Sequence, residues 1–327
     1  MENALYPIRF KPIYKKLIWG GEKLRTEYGK TDAPEMTGES WEISMVKDNI
    51  SVVSNGFLSG NTLEEILEIY MGDLVGDSIY EQHGNLFPIL TKFIHSNDNL
   101  SIQVHPDDSY AMEHHGENGK TEMWYILEAE KDSRLIVGFN QDTDREGFLK
   151  SLKEGTLVDM MNFEPVKKGD VLFMPTGRIH ALGPGIVLAE IQQTSDMTYR
   201  IYDWGRTGAD GKPRELHIDH AMDVMDFTRQ KRYKTPYTPL LNSSVRVADC
   251  PYFTTQYIEF DQPVYKDYIL IDSFVHYMCM EGTVEIHHPE GEPEVLQKGD
   301  TILIPAVLKE LSLIPREKSI LLEIFMR

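Results

Sequence analysis

Apolar and polar positions alternate in short runs along most of the chain, and period two dominates. This pattern predicts strands at 9–19, 41–44, 51–53 and 87–94, then at 171–174, 186–192 and 198–204. From Phe253 onward nearly every segment reads as strand. Helical spacing is confined to three stretches. Leu63, Ile66, Leu67, Tyr70 and Leu74 share one face of a helix over 62–74, opened by a Thr62/Glu65 capping box. Residues 144–162 read as two short helices broken at Gly155, and 219–227 as one more within the polar stretch 205–250. Many short strands with turn residues between them predict a mainly β fold decorated by a few helices.

An internal repeat sharpens the architecture. Lys168-Gly169-Asp170, four mostly apolar residues and Pro175 correspond to Lys298-Gly299-Asp300, four more and Pro305. Upstream, 124–129 and 277–282 correspond in position and character. The first copy runs on to His180 with the spacing Gly-x5-Pro-x-Gly-x2-His, which resembles the second motif of the cupins. In the second copy Glu310 stands where that His would be. The expectation is two cupin-type jelly-roll barrels. The first spans 1–140 and 163–245 with a helical insertion at 141–162; the second, 246–327, is degenerate.

Composition narrows the class of function. With 327 residues, 41% hydrophobic and 26% charged, the chain reads as an ordinary globular protein. A net charge of −19 argues against a nucleic-acid or anionic-membrane partner, although a few local cations can still hold a small anion. No run reaches the ~20 apolar residues of a membrane span. Residues 1–19 contain no apolar core of a secretory signal. Two cysteines without CxxC spacing point to a reducing cytoplasm. Monomer and homodimer both remain open.

Candidate chemistry begins at residues 100–106, where Ile102 and Val104 are apolar and Ser101, Gln103 and His105 share the opposite face. Gln103 and His105 can therefore reach one ion. His180 comes from the cupin-like motif, and Glu122 shares a strand face with Lys120. Two His and a carboxylate suit Zn²⁺, with the Gln oxygen as a weaker fourth ligand. His114 and His115 read as surface residues of a Gly-rich strand or loop region; His83, His95, His287 and His288 read as structural. On 196–202, Asp196, Thr198, Arg200 and Tyr202 share a side. That side either meets an anionic oxygen or is the solvated face of an edge strand. Glu190 and Gln192 repeat the pattern, and Lys92 is a charge inside an apolar run.

Taken in order, Trp19-Gly20-Gly21, Gly38 to Glu42, Leu90 to Ile94, Leu100 to Pro106, Lys120 to Trp124 and Thr194 to Arg200 resemble the type I mannose-6-phosphate isomerases, the short bacterial form best. The resemblance covers nearly the whole chain. It implies interconversion of mannose 6-phosphate and fructose 6-phosphate through a cis-enediol, with one Zn²⁺ per chain on Gln103, His105, Glu122 and His180. It further implies active-site roles for Lys92, Lys120, Ser101 and Arg200. Arg206 falls where larger relatives carry a Lys, a change of donor geometry at equal charge. Lys120 is then a proton shuttle, with Glu190 or a metal-bound water as competitors. Asp196 would assist ring opening, and Lys92, Ser101 and Arg200 or Arg206 would meet the phosphate.

Overall fold

The computed structural model describes residues 4–207, 211–289 and 291–327; residues 208–210 of the polar stretch lie outside them. The chain is mainly β. Residues up to Tyr202 build two antiparallel sheets. One has six strands in the order Val171–Met174, Glu122–Ala129, Ile186–Gln193, Ile89–Ser96, Thr37–Ile43, Ile13–Gly21. The other has five: Met161–Pro165, Arg134–Phe139, His180–Leu182, Ile102–Val104, Tyr199–Tyr202. The C-terminal part repeats the scheme with five strands (Ser243–Asp249, Thr254–Phe260, Ser319–Phe325, Val275–Glu281, Thr301–Ile304) and four (Val264–Asp267, Glu310–Pro315, Thr283–His287, Glu294–Gln297).

The internal repeat is visible as geometry. Val171–Met174 and Thr301–Ile304 are each the edge strand of a large sheet. They pair with Glu122–Ala129 and Val275–Glu281, the two segments the sequence matches. Gly169 and Gly299 both take positive φ, +87° and +90°. At Gly299 a Cβ would lie 2.2 Å from the Tyr28 carbonyl oxygen, so only glycine fits that turn.

Most predicted elements are present with shifted ends. The run 9–19 is two strands, Phe10–Lys11 and Ile13–Gly21, because Pro12 has no N–H for the ladder. The helix Leu63–Val75 carries the predicted capping box, with Glu65 N donating to Thr62 Oγ1 at 3.2 Å and Thr62 N donating to Glu65 at 2.8 Å. Helix Arg145–Glu154 ends at Gly155 in left-handed conformation, and a short 3-10 turn, Leu157–Met160, follows. His114 and His115 are exposed, as expected, but close an α-helix, Asp108–His115, rather than lying in a strand or loop. The Asp107 N-cap and left-handed Gly116 that bound this helix were the signals to read.

One apolar cluster runs across residue 245, uniting Phe93, Met123 and Tyr125 with Phe274, Met278 and Leu322. At the same seam, His276 Nε2 meets Thr91 Oγ1 at 3.1 Å, and its Nδ1 is buried without a partner. Burial holds the imidazole neutral and pushes its pKa down to about 3. The folded pKa lies below the unfolded value, so the contribution to stability is complete above about pH 6.5 and is lost as pH falls toward 3. His276→Leu is expected to remove about 2–3 kcal/mol of the stability loss between pH 6.5 and 4.5. Urea midpoints at the two pH values test this; equal pH slopes in variant and parent would refute it.

Candidate active site

The facing sheets of the N-terminal part place the predicted residues around one cavity of about 320 Å³. From the five-stranded sheet, Gln103 is paired on either side with His180 and Arg200. From the six-stranded sheet, Glu190 is paired with Lys92 and Trp124, and Glu122 with Gln192. His105 and Lys120 lie just beyond their strands, joined where Lys120 N donates to the Pro106 carbonyl at 3.1 Å.

Three side chains converge beneath this cavity. Donor atoms of His105, Glu122 and His180 all lie within 4.8 Å of one another, and all three residues are buried. His180 Nε2 is 3.3 Å from Glu122 Oε1, and His105 Nε2 is 3.6 Å from Oε2. Each imidazole turns its other nitrogen to a backbone carbonyl, His105 Nδ1 to Met197 and His180 Nδ1 to Arg178, both at 2.8 Å. Donation through Nδ1 leaves each Nε2 lone pair aimed at the carboxylate. Burial keeps both rings neutral, His105 well below the ordinary imidazole range and His180 at about 4.

Glu122 is the unusual member. Neither carboxylate oxygen accepts a well-directed hydrogen bond, although both are buried. Lys120 Nζ sits 3.0 Å from Oε2 as an ion pair. Burial, then the charge of Glu190, raises the Glu122 pKa to about 7. An orphaned carboxylate facing two neutral Nε2 lone pairs fits a divalent cation, which would satisfy all three groups at once. Gln103 adjoins this trio, its Nε2 3.4 Å from His180 Nε2 and its Oε1 3.5 Å from Ser101 Oγ. A half-turn of the amide presents the oxygen instead, at no steric cost.

Glu190 is held the opposite way. Burial works to raise its pKa, but Lys92 at 3.0 Å, the Lys120 charge and the Trp124 indole N–H at 2.8 Å outweigh that, to about 2. Lys92 in turn spends its charge on Glu190 and on Glu39 at 3.6 Å. Asp196, Thr198 and Arg200 all line the cavity, with Asp196 exposed at the rim. Arg200 lies on the strand Tyr199–Tyr202, which is the edge of the five-stranded sheet.

Ser101, Gln103, Lys92, Lys120, Glu190, Asp196 and Arg200 line the cavity, and His180 does so from below. Arg206 does not. Its guanidinium donates to Asp203 and to the Asn99 carbonyl instead. The lining also includes Lys15, Trp41 and Arg214, to which the sequence reading gave no role. Arg214 sits in a polar stretch with no periodicity, which carries no signal of where a side chain points.

A mainly β chain with this trio under a cation-walled cavity is a candidate metalloenzyme for a small anionic molecule. The comparisons identify which kind. Residues 8–135 match the model of the type I phosphomannose isomerase catalytic domain. The chain is 35% identical over 305 residues to the mannose-6-phosphate isomerase of Streptococcus mutans serotype c, covering 93% of each. It is 38% identical over 254 residues to mannose-6-phosphate isomerase ManA of Bacillus subtilis, covering 76% of this chain and 78% of that one. The crystal structure of the Bacillus subtilis mannose 6-phosphate isomerase superposes with a TM-score of 0.86 at 30% identity, over 98% of this chain and 99% of the other. The chain belongs to the type I phosphomannose isomerase family, whose members are aldose–ketose isomerases.

Proposed function

We propose that this chain interconverts D-mannose 6-phosphate and D-fructose 6-phosphate through a cis-enediol, using one Zn²⁺ held by His105, His180, Glu122 and the Gln103 oxygen. The observation that carries the reading is the buried convergence of two neutral imidazoles and an unsatisfied carboxylate below a cavity walled by lysines and arginines. Two nitrogen donors and a carboxylate are a common zinc set. Bound there, the ion supplies Lewis acidity for the charge that develops on O1 and O2.

The chain's own residues supply the rest. Arg200, beside Gln103 on the neighbouring strand, adds positive charge to the wall of the cavity. Lys120, acting as the neutral amine, would take the proton from one of C1 and C2 and return it to the other, because Glu190 is pinned as a carboxylate by Lys92 and is too weak a base for the task. Lys92 and Glu190 hold each other rigid beneath the sugar. Asp196 at the rim assists ring opening, and Ser101 meets the sugar phosphate end. Arg206 then contributes indirectly, through Asp203.

Each pair of facing sheets is one cupin unit in this reading, and among the described residues the second holds no cluster of metal-ligating side chains. Glu310 opens the strand Glu310–Pro315 as His180 opens His180–Leu182, and it is exposed. Cys250 and Cys279 are unpaired, which suits a reducing cytoplasm. Among the described residues, no helix is long and apolar enough to cross a membrane.

A coupled assay for fructose 6-phosphate formed from mannose 6-phosphate tests the proposal. Activity is expected to disappear on chelation and to return with about one equivalent of Zn²⁺ per chain. Stoichiometric zinc without turnover would refute the reaction, and absence of metal binding would refute the ligand set.

A further inference from the structure

Arg214 holds the middle of a half-buried charge cluster around the buried Asp203, on one wall of the cavity. Its Nε donates to Asp203 Oδ2 at 2.7 Å, and its Nη2 donates to Oδ1, a two-pronged pairing. Arg206 Nη2 donates to the same Oδ1 at 2.6 Å. Arg200 stands beside them. Its Nη1 donates to the Glu215 carbonyl at 2.9 Å, so the segment that carries Arg214 is tied to the strand that carries Arg200. His217 N donates to the Arg200 carbonyl at 2.7 Å, closing the same connection.

The charge does not balance within the cluster. Among the described residues, three guanidiniums (Arg200, Arg206, Arg214) face the buried Asp203 and, 3.9 Å from Arg206, the exposed Asp98, so positive charge stays in local excess in a chain whose net charge is −19. Among the described residues Arg200 has no carboxylate ion pair, and its Nε is buried without a hydrogen-bond partner. Burial and the nearby Arg214 charge both push the Arg200 pKa down, the mark of two like charges crowded at one place. Of the four residues, Arg200 and Arg214 line the cavity and Arg206 and Asp203 do not. The other cavity lysines beside the trio are taken: Lys92 by Glu190 and Glu39, Lys120 by Glu122. Two guanidiniums side by side on the cavity wall suit a phosphate monoester, which carries about −1.5 to −2 at neutral pH.

We infer that Arg214, with Arg200, forms the phosphate-recognition wall of the substrate site, and that Asp203 and Arg206 are positioning residues that hold the Arg214 fork. The inference rests on the sugar-phosphate isomerase reading above. It also accounts for Arg206: a residue on the same loop reaches the phosphate only through Asp203. With Nε and Nη2 committed to Asp203, Arg214 keeps its Nη1 end for the ligand.

The test compares R214Q, R214K and R206Q with the parent, all zinc-loaded. Kinetics on mannose 6-phosphate are combined with calorimetric binding of fructose 6-phosphate, fructose and inorganic phosphate at fixed ionic strength. R214Q is expected to raise KM about tenfold or more with a much smaller change in kcat, and to shrink the preference for fructose 6-phosphate over fructose by a similar factor. R214K is expected to fall between, since it keeps the charge and loses the fork. R206Q is expected to shift KM in the same direction by less, and R206K to restore it. A folded R214Q with the full preference overturns the inference. If R214Q does not fold, an R214K indistinguishable from the parent in KM overturns it. Should the parent bind no sugar phosphate, the substrate reading fails on its own; Arg214 is then judged by inorganic phosphate, whose binding must weaken in R214Q.

Discussion

Glu122→Gln is expected to abolish stoichiometric metal binding and to lower isomerase kcat/KM by about a thousandfold or more. The carboxylate is the only charged member of the trio, and both its oxygens are buried without a directed hydrogen bond. Burial, and then the charge of Glu190, lift its pKa to about 7, so without a cation its ionisation is penalised. A divalent ion reverses that balance, and the reversal is what the site gains on loading. The amide keeps the shape and removes the charge. Melting curves separate this from mere damage. Zinc at about a thousand times its dissociation constant should stabilise the parent by about 4 kcal/mol and leave the variant unmoved. The metal-free variant should fold less stably than the metal-free parent, because the amide leaves the buried Lys120 without its ion pair at 3.0 Å, and should still give a cooperative melt. Full metal content with turnover in Glu122→Gln would sink the ligand assignment.

The parts of this site that were readable in the sequence are those that sit on strands or directly flank them. Ser101, Gln103 and His105 could be placed on one face because period two leaves no other choice once Ile102 and Val104 are apolar. The same rule put Lys120 with Glu122, and the distance between them is 3.0 Å. Spacing around two positive-φ glycines carried the repeat, because a tight turn before a buried edge strand restricts which residues fit. The α-helices Lys23–Glu27, Asp77–His83 and Asp108–His115 escaped notice because they are short and bury one residue each, so they have no apolar stripe. The seam between the two halves was equally silent. His276 looks like any strand histidine until Thr91 is found beside it.

Loops were where inference from sequence failed. The resemblance placed Arg206 beside Arg200 as a phosphate contact, but the strand ends at Tyr202 and the chain turns at Trp204, whose φ is +58°. The Trp204 indole N–H then donates to the Leu100 carbonyl at 2.7 Å, which fixes the turn against the Ser101 segment. Past a turn of this kind period two has no meaning, so the direction of Arg206 could not be inferred. Arg214 returns to the cavity by a path that no local pattern encodes.

Lys120→Met is the substitution that separates metal chemistry from proton transfer, with kcat expected to fall by about 10²–10⁴-fold while zinc stays bound. Lys120 Nζ is 3.0 Å from Glu122 Oε2 and 3.3 Å from His105 Nε2, and it lines the cavity, so it is the ionisable group that touches both the metal ligands and the space for substrate. Its rival, Glu190, is tied to Lys92 and the Trp124 indole N–H, and a carboxylate held near 2 has almost no affinity for the proton it would have to take. The two assignments give opposite kinetic results. If Lys120 transfers the proton, Lys120→Met carries the loss in kcat with KM little altered. Glu190→Gln should then act mainly by releasing Lys92 from its charge partner, raising KM and lowering stability. If Lys120→Met keeps kcat within tenfold at full zinc content, the proton moves elsewhere, and Glu190→Gln becomes the variant that must show the collapse. A primary isotope effect with substrate deuterated at C2 decides whether the step measured is the transfer itself. It should be larger in Lys120→Met than in the parent, since slowing that step alone makes it fully rate-limiting.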